Sequence, residues 1–277
     1  MGFATGSHDA DDEADPLWRV AVEYGELKKR ADRLPADADA LRELAVEGIL
    51  RRTLRVIGHF RRKTHTVRTP WPEVGSGEIA LLETLDRAPI VDAIRPEDIL
   101  VEARIEKPLD VAMLIDTSLS MSGRKIALCA VGAAVLALRL RADAYSLVAF
   151  GSTARVLKAM GAKTTLRETI IAILDAPVLG YTNIEAALAT GLAQLRRGRA
   201  KLKAGILLTD GKHTEGGDPV PTARRYRRLE VLMTEDYNMD RDACHRLAAA
   251  GHGHVTEVRR YRHLPDRLLE LLRSLQR

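Results

Sequence analysis

From Val111 onward the chain alternates short apolar runs with helix-length segments, and this alternation restricts its fold more than any other feature. DVAMLID, AYSLVAFG, AGILLTD, RLEVLMT and HVTEVR have the length and side-chain types of strands, most of them buried. Between them, after the short TARVLKA, stand GRKIALCAVGAAVLALRL, a segment from Thr165 to Leu174, IEAALATGLAQL and RDACHRLAAAGH, with LPDRLLELLRSL closing the chain. Each has helical length and periodicity. Strands joined through helices need crossover connections, which predicts an α/β fold: a doubly wound, mostly parallel sheet with helices on both faces. Ligands of such sheets bind beyond the carboxyl ends of the strands.

Before Val111 the organisation is different. Residues 1–15 are acidic and polar, which predicts a disordered tail. Residues 16–69 form a helical N-terminal region, in which LRELAVEGILRRTLRVIGHF puts Leu41, Leu44, Ile49, Leu54 and Ile57 on or near one face. TPWPEVGSGE breaks that pattern with two prolines and two glycines. Residues 70–107 then read as a linker with a connecting helix at IALLETLDRA, and residues 108–277 as the α/β domain. Trp18 and Trp71 lie outside that domain, and packing is their default role.

The longest apolar run, Ile126 to Leu138, is too short to cross a bilayer and ends at Arg139, so no membrane span is expected. The N-terminus is acidic where a secretory signal is basic and then apolar, which predicts a cytoplasmic protein. Cys129 and Cys244 each sit in a helical segment, as reduced, buried side chains would. A net charge of +5 raises the question of an anionic partner. The basic residues cluster at Arg51 to Lys63, Arg196 to Lys203 and Arg224 to Arg228. Aromatic residues make up only 4% of the chain, and no nucleic-acid motif spacing interleaves with these runs, so solvated helix ends and loops are the preferred explanation over nucleic acid.

The chemistry gathers where strands end. Asp116 closes VAMLID and Asp210 closes ILLTD, so the topology aims both carboxylates at one crevice. Ser118 and Ser120 follow Asp116 in the same loop, and Thr182 lies in the Gly-led turn GYTN just before a helix. Two carboxylates and three hydroxyls, without His or Cys, suit a hard divalent cation, Mg²⁺, Mn²⁺ or Ca²⁺, better than Zn²⁺. Singly, each signal is an ordinary cap or turn. In this order, on this alternating chain, they are much more specific.

DTSLS at 116–120, GYTN at 180–183 and LLTDG at 207–211 resemble the von Willebrand factor type A family with its metal-ion-dependent adhesion site, over about residues 108–277. The resemblance implies a Rossmann-like fold. It also implies a Mg²⁺ or Mn²⁺ ion, with Ca²⁺ less favoured, held directly by Ser118 and Ser120. Thr182 would join directly or through water, and Asp116 and Asp210 would act through ordered waters. Leu119 stands where many members carry Gly, which alters the loop without removing a ligand.

Neutral hydroxyls leave such a cation much of its charge and an open position that a partner's Asp or Glu can fill. The expected function is therefore recognition without bond breaking: a non-enzymatic module for a protein partner presenting an acidic residue. Its layout resembles the intracellular prokaryotic members that act as adaptors beside AAA+ ATPases of the MoxR or chelatase type. The enzyme alternative is a Mg²⁺-dependent phosphohydrolase, but Ser118 stands where that chemistry needs a second acid, and Lys125 and Lys212 are unremarkable in a basic chain. An RNA-associated, Ro-like member is a third reading. It lacks room for a helical-repeat ring before the metal domain. His213, Glu215 and Asp218 read as loop residues.

Overall fold

The computed structural model describes residues 15–30, 37–58, 66–70, 78–80, 84, 96, 98–104, 108–118, 123–176, 180–234, 239–258 and 261–276. The chain forms two compact units, Met1–His59 with Leu109–Leu275, and Phe60–Pro108.

The larger unit carries a six-stranded sheet. Its strands are β4 (Leu109–Asp116), β5 (Tyr145–Phe150), β6 (Ala154–Lys158), β7 (Leu202–Thr209), β8 (Leu229–Thr234) and β9 (Val255–Val258), after β1–β3 of the smaller unit. The order across the sheet is β6-β5-β4-β7-β8-β9. Every pairing is parallel except the β5–β6 hairpin at one edge. The helices are α1 (Pro16–Arg30), α2 (Ala38–Gly58), α3 (Arg124–Arg139), α4 (Leu166–Leu174), α5 (Ile184–Arg197), α6 (Val220–Ala223), α7 (Arg241–Ala250) and α8 (Leu264–Leu275). The doubly wound, mostly parallel architecture expected from the alternation is the one observed.

Helices on both faces explain why all of β4 is buried. Val111, Met113 and Ile115 enter the core that contains Leu128, Leu136 and Leu268. Ala112 and Leu114 enter the opposite core with Leu188, Tyr226 and Cys244. The period-2 alternation of a strand thus feeds two separate layers. Both cysteines are free and buried.

Helices α1 and α2 belong to the first of these cores, through Trp18, Tyr24, Ala45, Val46 and Ile49. Asp175, which ends α4, ties them down. It accepts a 2.7 Å hydrogen bond from the Tyr24 hydroxyl and lies 3.7 Å from Lys28 Nζ and 3.5 Å from Arg42. The face expected for α2 is corrected in part: Ile49 is buried and Leu41 packs against the core, but two of the leucines point outward. Leu44 and Leu54 are 46% and 60% exposed, while Ala45, Val46, Ile49 and Thr53 are buried. The cause is a close helix crossing: a Cβ on Gly48 would stand 2.4 Å from the Leu17 carbonyl oxygen. That contact leaves no room for a side chain at Gly48 and sets α2 close against α1, with Leu44 and Leu54 on its outer side.

The smaller unit holds β1 (Thr66–Pro70), β2 (Glu78–Ile79) and β3 (Leu100–Arg104), antiparallel in the order β1-β3-β2. Thr84 Oγ1 donates to the Ala80 carbonyl and accepts from the Leu100 amide. β2 and β3 therefore occur inside the stretch read from sequence as linker and connecting helix, and β1 at the end of the stretch read as helical. They are two to five residues long and pair across long separations, which leaves little local pattern. Apart from Ile79, Ala80 and Thr84, the IALLETLDRA segment lies outside the described residues.

Candidate functional site

Asp116 and Asp210 end neighbouring strands. In the β4–β7 pairing Ile115 stands opposite Leu208, so Asp116 is the last residue of β4 and Asp210 the first after β7, on strands about 4.8 Å apart. Both reach the carboxyl edge of the sheet, as the strand endings imply.

Each carboxylate is fixed by its own loop. Asp116 Oδ1 accepts the Ser118 backbone N–H at 2.8 Å, and Asp210 Oδ1 accepts the Lys212 N–H at 3.0 Å. These short Asx turns orient each acid through one oxygen, and Asp210 Oδ2 also lies 3.6 Å from the Lys212 ammonium. Burial pushes the Asp116 carboxyl up to about 6; the Asp210 charge adds to the rise, and hydrogen bonds from the Ser118 backbone and hydroxyl oppose it. The β4 loop is anchored by Thr117, whose N–H and hydroxyl both donate to the Phe150 carbonyl at 2.8 and 3.1 Å.

Thr182 is brought to the same edge by β5. The Asn183 N–H donates to the carbonyl of Gly151, just beyond β5, at 2.7 Å, and the Tyr181 N–H donates to Ser152 Oγ at 3.1 Å. Asn183 Oδ1 then caps α5 by accepting the Ala186 N–H at 2.9 Å. Thr182 is buried, and Asp210's side chain is 13% exposed. Ser118 is half-buried; Ser120, with Leu119, lies outside the described residues.

A loop the sequence reading passed over stitches these parts together. Thr214 Oγ1 accepts the Thr182 N–H at 2.9 Å, and the Thr182 carbonyl accepts from the N–H groups of Thr214 and Glu215 at 3.0 and 3.2 Å. His213 Nδ1 accepts the Ile184 N–H at 3.2 Å while Nε2 lies 2.7 Å from the Gly217 carbonyl. That pair of partners calls for a neutral ring with its proton on Nε2. Glu185 completes the stitch by accepting the Gly217 N–H at 2.8 Å. Apart from His213 and Gly217, these partners sit 29 to 33 residues apart, so no local motif signals them. Glu215 and Asp218 are exposed loop acids.

Gly211 makes the turn after Asp210 with φ of +85°, where a Cβ would stand 2.2 Å from the Asp240 carbonyl oxygen. Cys244 Sγ packs on the same glycine. Burial, then the charges of Asp210 and Asp240, push that thiol up to about 12, so it stays protonated. A protonated thiol is a poor metal ligand. No group of three or more His, Cys, Asp or Glu suited to a metal occurs among the described residues. The donors at this edge are hydroxyl and carboxylate oxygens, a set that fits a hard divalent cation.

The comparisons agree with this fold. The family model of the von Willebrand factor type A domain matches residues 110–268. No curated protein matches the chain in sequence. Among solved structures, a von Willebrand factor type A protein from Catenulispora acidiphila superimposes with a TM-score of 0.53 at 18% identity, over 62% of this chain and 43% of that one. Proximal thread matrix protein 1 from the mussel byssus gives 0.52 at 16%, over 60% and 48%. The chain thus spans less than half the length of these two solved proteins.

Proposed function

Because the chain belongs to the von Willebrand factor type A family, we propose that the carboxyl edge of its sheet holds a divalent cation and uses it to bind an acidic side chain of a partner protein. What supports this reading is that Asp116, Ser118, Thr182 and Asp210 lie at the ends of β4 and β7 and just before α5, with both carboxylates and the Thr182 N–H held by hydrogen bonds. The hydroxyls of Ser118 and Ser120 would bind the cation directly, Thr182 directly or through water. Asp116 and Asp210 would orient bound waters. Mg²⁺ or Mn²⁺ is the preferred ion. When bound, it supplies an electrophilic position that an Asp or Glu carboxylate can occupy.

The chain's own residues do the rest. Ser118 and Lys212 keep one oxygen of each carboxylate occupied, and the Thr214–Thr182 exchange holds the third loop in place. This is recognition, with no bond broken in the partner. The layout suits a cytoplasmic adaptor working with an AAA+ ATPase of MoxR or chelatase type. No helix among the described residues is long and apolar enough to cross a membrane.

Calorimetric titration with Mg²⁺ and Mn²⁺, on wild type and on the Ser118→Ala, Ser120→Ala double variant, tests the site. Binding by wild type alone is expected, and Asp116→Ala is expected to lose the metal while keeping its circular dichroism spectrum. Equal binding by the double variant overturns the site. A pull-down from the native host, with and without chelator, tests the partner: retention of an AAA+ ATPase only with metal is the expected result, and retention indifferent to chelator overturns it.

A further inference from the structure

The three basic runs of the sequence have different fates in the fold. In the first, on α2, Arg51 pairs with Glu47 at 3.0 Å, Arg52 stacks 4.4 Å over the Trp18 ring and Arg55 pairs with Asp15 at 2.8 Å. The first pair lies within α2 itself, and the other two contacts tie α2 to α1 and to the residue that precedes it. The other two runs do not pair in this way. Arg196, Arg197, Arg199 and Lys201 are exposed where α5 leads into β7, and Arg224, Arg225 and Arg227 are exposed where α6 leads into β8. Among the described residues none of these seven lies within ion-pair distance of a carboxylate. Arg228 is the exception, spent on the buried Glu230.

Topology puts both runs on one edge. They precede parallel, adjacent strands, so they lie at the amino edge of the sheet, about 25 Å along β7 from Asp116 and Asp210. Tyr226 locks one run against the other. Its ring packs on Gly205, and its hydroxyl fills the notch at Gly191 and donates to the Leu188 carbonyl at 2.8 Å. Gly191 is six residues before Arg197, about 9 Å along the helix axis. Asp110 and Lys203 fix the other run, by accepting the Ala200 N–H at 2.8 Å and by donating to the Leu195 and Gly198 carbonyls. The α5 dipole accounts for Arg196 and Arg197 in its last turn, but not for the remaining five.

We propose that this edge binds the phosphate backbone of a double-helical nucleic acid, independently of the metal site. Six of the seven cations are arginines, whose planar forks take phosphate oxygens two at a time. Tyr226, the aromatic residue among them, is buried, so the two runs themselves offer no ring for stacking unpaired bases and no aromatic anchor of the kind that dominates protein interfaces. Rigid, polar and positive surface of this kind recognises regularly spaced phosphates by position, without reading sequence.

The test is fluorescence anisotropy of the full chain with labelled 20-base-pair DNA and RNA duplexes, in chelator, across a series of KCl concentrations. Expected is a log–log salt slope of about −0.9 per phosphate neutralised, and an affinity about 10- to 100-fold weaker with a flatter slope for Arg199→Glu, Arg225→Glu, Arg227→Glu. The same positions changed to Gln, which keep length and polarity, are expected to show an intermediate loss; Ser118→Ala is expected to show none. Wild-type affinity in the Gln variant overturns the assignment. So does tighter binding of single strands than of duplex, or displacement of duplex by polyglutamate of matched charge, which marks the edge as a dock for acidic protein.

Discussion

Thr182 and Thr214 exchange two hydrogen bonds, the Thr182 N–H to Thr214 Oγ1 at 2.9 Å and the Thr214 N–H to the Thr182 carbonyl at 3.0 Å. One loop of the proposed metal site is thereby held by another, and the hydroxyl of Thr214 is the separable part. Thr214→Val leaves the Thr182 N–H without that acceptor, at a cost of about 1 to 2 kcal/mol. We expect metal affinity to fall about tenfold in calorimetry, with Thr214→Ser restoring it. A Val variant that binds as tightly as wild type removes Thr214 from the site.

Lys212 holds Asp210 in two ways, through its backbone N–H at 3.0 Å and its ammonium at 3.6 Å. Only the second opposes an incoming cation. Lys212→Met keeps the backbone bond and deletes the like charge, so metal affinity is expected to rise about two- to fivefold at low salt and to converge on wild type in about 0.5 M KCl. A fall in affinity would mean that the ammonium supports the site.

Tyr226 is a wedge between α5 and β7. Removing its hydroxyl in Tyr226→Phe is expected to cost about 1 kcal/mol in urea denaturation. Gly205→Ala, whose Cβ would stand 2.4 Å from the ring, is expected to cost about 1 to 3 kcal/mol. A neutral Gly205→Ala would show that the ring has room to move.

Lys158 is 3% exposed, 3.9 Å from the Tyr145 ring centroid, and donates to the Tyr145 carbonyl at 2.7 Å. Burial pulls its ammonium down to about 8, from 10.5 in a free chain. Between those values the unfolded state carries more of this proton, so this group's contribution to stability rises with pH. Below pH 8 the full cost of burying the charge is present. Lys158→Met, which has no such charge, should therefore lose about 2 kcal/mol of its relative stability between pH 7.5 and 10. A difference constant over that interval rejects the shift.

Those parts of the fold whose cause is local were legible before the structure. β4, β5, β7 and β8 are mostly apolar because both faces are covered, and Asp116 and Asp210 stand out because they follow the apolar stretches of two of them. On α2 the periodicity places Ile49 inside, as observed, but misses the outward turn of Leu44 and Leu54, because the close crossing at Gly48 depends on α1, which lies elsewhere in the sequence. His213 and Thr214 carry no local mark of their work, since their partners lie about thirty residues away and are mostly main-chain atoms. Nor does a run of arginines reveal which of them will find a carboxylate. That depends on which segments pack together, as the difference between Arg55, paired with Asp15, and Arg199 illustrates.

The core that α1 and α2 share with α3 bears on how this module can be transplanted. The family match begins at Asp110, beyond both helices, and a graft cut there would leave Trp18, Tyr24, Val46 and Ile49 behind. The recipient would inherit a bare apolar patch on α3 and α4, and Asp175 stripped of Tyr24, Lys28 and Arg42. The smallest portable piece of this protein is therefore discontinuous in sequence: it takes in α1 and α2, passes over the intervening strands, and resumes at β4.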